Sequence, residues 1–306
     1  MSKWVTWVCA LLFVALISYA PAYANTTLRV IASFSVMEEL VKRVAGDTVS
    51  VNVIVPRGED VHRWELTPPN VLALEETHIV FYNGLGLEPW IRHVEAMSDD
   101  QLTLVEVARE ADYTPLIIST GQHKGALDPH MWMDPEGAAA YIDVIAETLA
   151  EHLPDQAEAF YSRAEEARKA LNNLSLAVKE RLEGIPQTNR TLVTSEAGFG
   201  YFARAYAFEA HGVWGVNHET QGSAQAMAKM SEYLANNRPR PPALFFESTT
   251  PSIHMDALSR EASLPLAGPL YVDSLSGESG PAANYADMLH HNAEVMHTAL
   301  GGATAE

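Results

Sequence analysis

The middle of the chain, Pro135 to Gly184, has no glycine between Gly137 and Gly184 and is rich in Ala, Glu, Leu and Arg. Apolar or small residues recur there at helical spacing: Tyr141, Val144, Ile145, Thr148 and Leu149, then Phe160, Ala164, Ala167, Leu171, Leu174, Val178 and Leu182. Pro154 suits the first turn of a second helix and Gly184 its stop. The spacing predicts a helix of about 30 residues, some 45 Å long at roughly 1.5 Å per residue. No clean heptad persists across it, which argues against a coiled coil. So long a helix reads as a spine joining what lies on either side.

Both sides show short β runs alternating with helical stretches. Before the spine, strands are expected at Leu28–Ala32, Val49–Val55 and His78–Tyr82, and helices at Ser35–Val44, Pro69–Glu75 and Leu87–Ala96. After it come strands at Thr191–Thr194, Phe208–Val213 and Ala243–Phe246. Helices follow at Tyr201–Tyr206, Ala224–Asn236, Ile253–Ala262 and Asn284–Leu300. Such alternation implies parallel sheets with covered faces. The expected fold is therefore α/β: two lobes, each a parallel β-sheet flanked by helices, joined by a long rigid α-helix. The expected division is residues 25–153, a linker helix over 154–185, and 186–306.

Residues 1–24 read as an export signal. Lys3 precedes an apolar core, Val5 to Ile17, and Ala22-Tyr23-Ala24 offers a small-x-small cleavage step. The only cysteine, Cys9, lies within this segment and lacks the small-residue approach of a lipoprotein cysteine. A periplasmic, non-lipidated chain without a thiol is expected. Disulfides, cysteine–zinc sites and cysteine nucleophiles then drop out, and any metal must be held by nitrogen and oxygen. Beyond Lys3 the chain carries 19 basic against 39 acidic residues, a net of −20. That balance excludes nucleic acid and anionic membrane as natural partners.

Four segments place metal-competent side chains where strands should end. They are Arg57-Gly58-Glu59-Asp60-Val61-His62, Asp128-Pro129-His130-Met131-Trp132-Met133-Asp134-Pro135, Thr194-Ser195-Glu196-Ala197-Gly198-Phe199-Gly200-Tyr201-Phe202, and Tyr271-Val272-Asp273-Ser274-Leu275. Ligands collect at the carboxyl ends of strands in open parallel sheets. Two segments precede the spine and two follow it, so a site drawing on all four lies between the lobes.

These motifs, in this order, resemble the metal-binding receptors of zinc, manganese and iron ABC importers, whose two lobes are joined by one long helix. Trp214-Gly215-Val216-Asn217-x-Glu219 and Phe245-Phe246-Glu247-Ser248 resemble that family too. The resemblance implies a binding protein rather than an enzyme. It would carry one divalent transition metal to a membrane permease and its ATPase, and would act as a monomer. Position by position, it implies His62, His130, Glu196 and Asp273 as the ligands. Family members with a carboxylate at the third position are mostly manganese or iron receptors, and those with histidine are mostly zinc receptors.

The donor chemistry agrees with that implication. Two neutral imidazoles and two carboxylates balance a divalent charge in a closed site. A carboxylate able to bind through both oxygens suits Mn²⁺ or Fe²⁺ more than tetrahedral Zn²⁺. The loop Ser119–Leu127 is short and holds one histidine, whereas zinc receptors of this family often carry a long histidine-rich loop there. A zinc receptor of the same family is the alternative. From other classes come a metal-dependent hydrolase, for which no His-Glu-x-x-His signature occurs, and a surface adhesin.

Taken singly, each residue has a plainer role. His62 fits a polar turn, Glu196 a helix cap, and Asp273 an N-cap or turn. Trp132 and Phe199 are expected to wall the pocket, and His218 to border the cleft. Asp60, Asp128 and Glu247 are candidates to hold the imidazoles. His290 and His297, with His291 beside them, mark a possible surface metal site. His78, His93, His152, His211 and His254 read as structural or solvated.

Overall fold

A computed structural model describes residues 27–98 and 100–301. The expected signal segment with Cys9, and the tail Ala303–Glu306, lie outside the described residues. Among the described residues no helix is long and apolar enough to cross a membrane.

The first lobe is built from β1 (Leu28–Phe34), α1 (Ser35–Ala45), β2 (Val49–Val55), α2 (Pro68–Glu75), β3 (Ile79–Tyr82), α3 (Ile91–Met97), β4 (Thr103–Glu106) and the single turn α4 (Val107–Glu110). Its sheet has the order β2-β1-β3-β4, with every pairing parallel. Central β3 is buried at all four positions, as a strand covered on both faces must be. Edge strand β2 instead exposes Ser50 and Asn52. Thr67 and Asn70 close a capping box at the start of α2, with Pro68 and Pro69 in its first turn.

The helix expected over Leu87–Ala96 starts later, at Ile91. Glu88 folds back to accept the N–H groups of Asn83 (2.7 Å) and Gly84 (3.0 Å), which turns residues 83–90 into a loop. Strand β4 is too short to announce itself in the sequence.

Next come α5 (Pro135–His152) and α6 (Ala157–Glu183). Asp134 caps α5 by accepting the Glu136 N–H. The spine α6 has 27 residues, and Pro154–Gln156 form a separate 3₁₀ turn before it. Its seven apolar positions named above are all buried. They pack along α5, α1 and the last helix, so the spine is one wall of a continuous core rather than a free strut. Arg163 closes the end of α1 by donating to the carbonyls of Val44 and Ala45.

The second lobe holds β5 (Thr191–Thr194), α7 (Gly200–Tyr206), β6 (Glu209–Gly212), α8 (Ala224–Asn236), β7 (Leu244–Glu247), α9 (Ile253–Ala262), β8 (Leu266–Leu270) and α10 (Tyr285–Leu300). Here hydrogen bonding makes two parallel pairs, β5–β6 and β7–β8, with β5 lying against β7. Strand β8 escapes the sequence pattern because Gly268 and Pro269 interrupt it. A smaller core around Trp214, Leu234, Leu244 and Leu258 fills the outer side of this lobe.

If the spine is held by packing, Leu171→Ala, at a 2% exposed position, should cost about 2–5 kcal/mol in denaturant unfolding. Leu176→Ala, at a 66% exposed position on the same helix, should stay within about 0.5 kcal/mol. Equal effects at the two positions would contradict this packing.

Candidate metal centre

Each candidate side chain sits in or beside a short turn, or shortly past a strand end. His62 lies in a 3₁₀ turn, Val61–Arg63, beyond the end of β2. Asp60 starts that turn by accepting the His62 backbone N–H at 2.9 Å. His130 precedes the 3₁₀ turn Met131–Met133 that leads into α5. Glu196 follows β5, and Asp273 follows β8 by a few residues. Close approach of the chain around Glu196 depends on Gly212, where a Cβ would stand 2.2 Å from the Ala197 nitrogen. Gly198 likewise leaves room for Val272 and the His130 ring.

The structure brings the four residues into one cluster, with one ligand atom from each within 4.8 Å of the others. His62 Nε2 lies 3.4 Å from Glu196 Oε1 and 3.3 Å from Asp273 Oδ2. His130 Nε2 lies 3.4 Å from the same Glu196 oxygen and 3.6 Å from Asp273 Oδ1. His130, Glu196 and Asp273 are at most 1% exposed, and His62 is 9% exposed. Glu196 does not cap α7, whose N-cap is Phe199, and no helix follows Asp273 directly.

The far nitrogens of the imidazoles are anchored. His130 Nδ1 lies 2.8 Å from Asp128 Oδ1, which also accepts the His130 backbone N–H. His62 Nδ1 faces the Leu87 carbonyl at 3.2 Å. Both anchors leave Nε2 free for the cluster. Of the three acids expected to hold imidazoles, only Asp128 does so. Asp60 holds backbone, and Glu247 accepts the Glu196 N–H at 3.1 Å. The Leu87 carbonyl belongs to the loop that Glu88 folds, and no side-chain motif signals a backbone acceptor.

Five buried atoms of the cluster have no hydrogen-bond partner: Nε2 of both histidines, Glu196 Oε2, and both oxygens of Asp273. Buried polar atoms in folded proteins are nearly always paired, so such a convergence makes this cluster the candidate to hold a cation.

Burial works against charge on His62, yet the carboxylates of Glu196 and Asp273 prevail and hold its pKa well above the ordinary range. Burial likewise opposes charge on His130, and Asp128 with Glu196 raises it to about 10. Glu196 would be pushed up by burial, but His218, His62 and His130 hold it well below the usual carboxylate range. Asp273 is pushed up, first by burial and then by the charge of Glu196. The imidazoles of His62 and His130 thus offset the charge of Glu196.

The lobes are tied around the cluster. Ser274 Oγ accepts the Gly58 N–H at 2.7 Å, and Ser35 Oγ accepts the Leu275 N–H at 2.9 Å. Arg57 donates to the carbonyls of Ser276 and Ala283. Trp132 stands beside His130, with ring centroids 5.2 Å apart, and donates to the Val272 carbonyl at 2.9 Å. Phe199 is buried against Phe202. Glu219 accepts the N–H groups of Gln122 and His123, fastening the short loop to the second lobe.

The remaining histidines separate cleanly. His218 borders the cleft, its Nε2 at 3.0 Å from Glu196 Oε2. His290, His291 and His297 share a surface depression, but among the described residues no second histidine–carboxylate group has metal-binding spacing. Glu294 in that depression is already paired with Arg181, and His291 faces the Pro269 carbonyl. His78, His152 and His211 are engaged by Arg29 N–H, Thr103 and Tyr233. His254 packs on Trp214.

The family described as ZnuA, zinc-uptake complex component A, periplasmic, matches residues 30–299. The manganese-binding lipoprotein MntA of Halalkalibacterium halodurans is 33% identical over 274 residues, covering 89% of this chain and 88% of that protein. The iron-binding protein YfeA of Yersinia pestis is 31% identical over 288 residues, 94% of this chain and 91% of its own. Among solved structures, the periplasmic zinc-binding protein TroA of Treponema pallidum superposes with a TM-score of 0.82 at 26% identity. That match covers 90% of this chain and 99% of TroA. Members of this family are substrate-binding receptors, not enzymes. With fold, motif order and near full-length matches in agreement, the chain belongs to the ZnuA family of metal-binding receptors that serve ABC importers of zinc, manganese and iron.

Proposed function

We propose that this protein captures one divalent transition metal, Mn²⁺ or Fe²⁺ in preference to Zn²⁺, through His62, His130, Glu196 and Asp273. It then docks as a monomer on its permease, whose ATPase drives import. The five unpartnered buried atoms carry this reading, because a cation would satisfy all of them at once. The proposed division puts His62 and His130 in a first lobe, residues 25–153. Glu196 and Asp273 fall in a second, 186–306, with the helix over 154–185 between. A spine packed along its whole length favours small closure over wide hinge motion.

The manganese or iron preference rests on Glu196. A carboxylate in place of a third imidazole is a harder ligand and offers a second oxygen for coordination above four. The names of MntA and YfeA lean the same way. Zinc is the second reading, favoured by the TroA likeness and by the greater intrinsic affinity of Zn²⁺ for most such sites.

Release into the periplasm without a lipid anchor has only the surroundings of Cys9 behind it, and MntA is named a lipoprotein. Mass spectrometry of the exported protein decides this: a mature chain starting at Asn25 supports release, and a lipid-modified Cys9 refutes it.

His130→Ala and Asp273→Ala should each weaken Mn²⁺ binding by more than the roughly 10–100-fold that loss of an outer partner costs. Titration of protein purified free of metal tests this, and retention of tight binding in either variant would defeat the four-ligand reading. Glu196→His should move Mn²⁺/Zn²⁺ competition toward zinc; unchanged competition would count against the metal preference.

Affinity should also climb with pH. Raised histidine pKa values mean that protons occupy the imidazoles near neutrality, so acid opposes binding. The expected slope is about one order of magnitude per pH unit for each proton displaced. Calorimetry in buffers of different ionisation enthalpy counts those protons, and a pH-independent affinity would contradict the arrangement.

A further inference from the structure

A fifth buried side chain touches the proposed cluster without belonging to it. The His218 side chain is 2% exposed, with Nε2 at 3.0 Å from Glu196 Oε2. Its ring meets that of His62 edge-on at 5.6 Å, and Thr250 Oγ1 lies 3.4 Å from Nε2. His218 Nδ1 is buried without a hydrogen-bond partner. Unlike Asp128 or Leu87, His218 faces a carboxylate of the cluster rather than an imidazole.

The backbone is bent on purpose to bring it there. Asn217 and His218 both have positive φ, 56° and 52°, in the left-handed region that favours glycine and that asparagine and histidine enter more readily than most side chains. Such strain persists only where the surroundings impose it, and it concentrates at functional positions. Several bonds hold this turn: Thr220 Oγ1 donates to the Trp214 carbonyl at 2.7 Å, and Asn217 Nδ2 to the Gly86 carbonyl of the other lobe at 3.0 Å. As a result the Asn217 N–H reaches Glu196 Oε1 at 2.7 Å, while His218 stands against Oε2. Oε1 is also the oxygen that faces His62 and His130. One short turn therefore treats the two oxygens of Glu196 differently.

We infer that His218 is a positioning residue that restrains Glu196 Oε2 and so sets whether Glu196 offers the cation one oxygen or two. His218 Nε2 stands 3.0 Å from Oε2 without hydrogen-bonding it, so the oxygen stays unpartnered and a cation reaching for it has to share that approach with the imidazole. An ion that favours five or six ligands gains from the second oxygen, whereas tetrahedral Zn²⁺ does not need it. His218 then tunes the choice between Mn²⁺ or Fe²⁺ and Zn²⁺ through Glu196. This inference rests on the proposed four-ligand site.

The test uses the full exported chain, with Mn²⁺ and Zn²⁺ as probes. His218→Asn keeps a residue that tolerates the left-handed backbone, but its shorter side chain cannot span to Oε2. His218→Gln keeps an amide donor on a longer arm. In His218→Asn, one ion should still bind and Mn²⁺/Zn²⁺ competition should shift toward Mn²⁺ by roughly tenfold, the scale of an outer-partner effect. The Mn²⁺ paramagnetic resonance spectrum should change with the added oxygen ligand, and His218→Gln should restore both readouts in part. A folded His218→Asn with wild-type competition and an unchanged spectrum overturns the inference while leaving the four ligands standing. Loss of binding as severe as in His130→Ala makes His218 a ligand and also overturns it. Wild-type binding in His130→Ala and Asp273→Ala would instead bring down the four-ligand reading beneath it.

Discussion

Two carboxylates, Glu196 and Asp273, face each other in a space that water barely reaches, and the rest of the molecule is arranged around that conflict. Like charges in a low-dielectric interior push one pKa up and leave the other group dependent on positive neighbours. The opposite shifts of Asp273 and Glu196 express this division, and His62 and His130 supply the balancing charge. Burying an unpaired ion costs several kcal/mol even after the surroundings relax, so the cluster tolerates its carboxylates only while protons or a cation sit among them. Protons and cations are then alternatives at the same atoms.

Such an exchange demands that the four residues stay put, although they come from both sides of the spine. Packing meets this demand more than polar bonds do. Phe160, Leu171, Val178 and Leu182 lie in the same core cluster as Val30 and Phe81 of the first sheet and Leu289 of the last helix. A core shared this way resists a hinge between the halves. The exchanges between Ser35, Gly58, Ser274 and Leu275 then fix the register of the two strand-end loops that carry His62 and Asp273. Surface pairs such as Arg181–Glu294 add little by comparison, because solvent screens them.

The parts legible in the sequence are those governed by local periodicity and by motif. All seven apolar positions of the spine point inward as their spacing requires, and the four residues implied by the motifs meet in space. Strands β4 and β8 were invisible because four or five residues, one set broken by Gly268 and Pro269, carry too little pattern. Helix α3 begins four residues after the start its sequence predicts because Glu88, a helix former by propensity, spends its carboxylate on the amides of Asn83 and Gly84. The same fold-back explains the missed anchor of His62, since a backbone carbonyl has no signature of its own. Glu247 looked like a partner for an imidazole and instead supports the main chain of Glu196. That distinction depends on which atom points inward, and residue order does not encode it.

On the proposed ligand set, metal preference would depend on the same geometry. Where closure is small, as the packed spine favours, selection falls mainly to the donor atoms. Intrinsic affinity favours Zn²⁺ over Mn²⁺ at nearly any mixed nitrogen–oxygen site, and a receptor for the weaker-binding ion must therefore penalise a four-ligand arrangement. The two oxygens of Glu196 meet Asn217 N–H on one side and His218 on the other, whereas those of Asp273 face His130 and His62. Asp273 has two oxygens without a hydrogen bond, and Glu196, His62 and His130 have one such atom each, so the second oxygen of either carboxylate is what could raise coordination above four. On the inferred role of His218, the turn at Asn217 and His218 then moderates the preference that the second oxygen of Glu196 would bring.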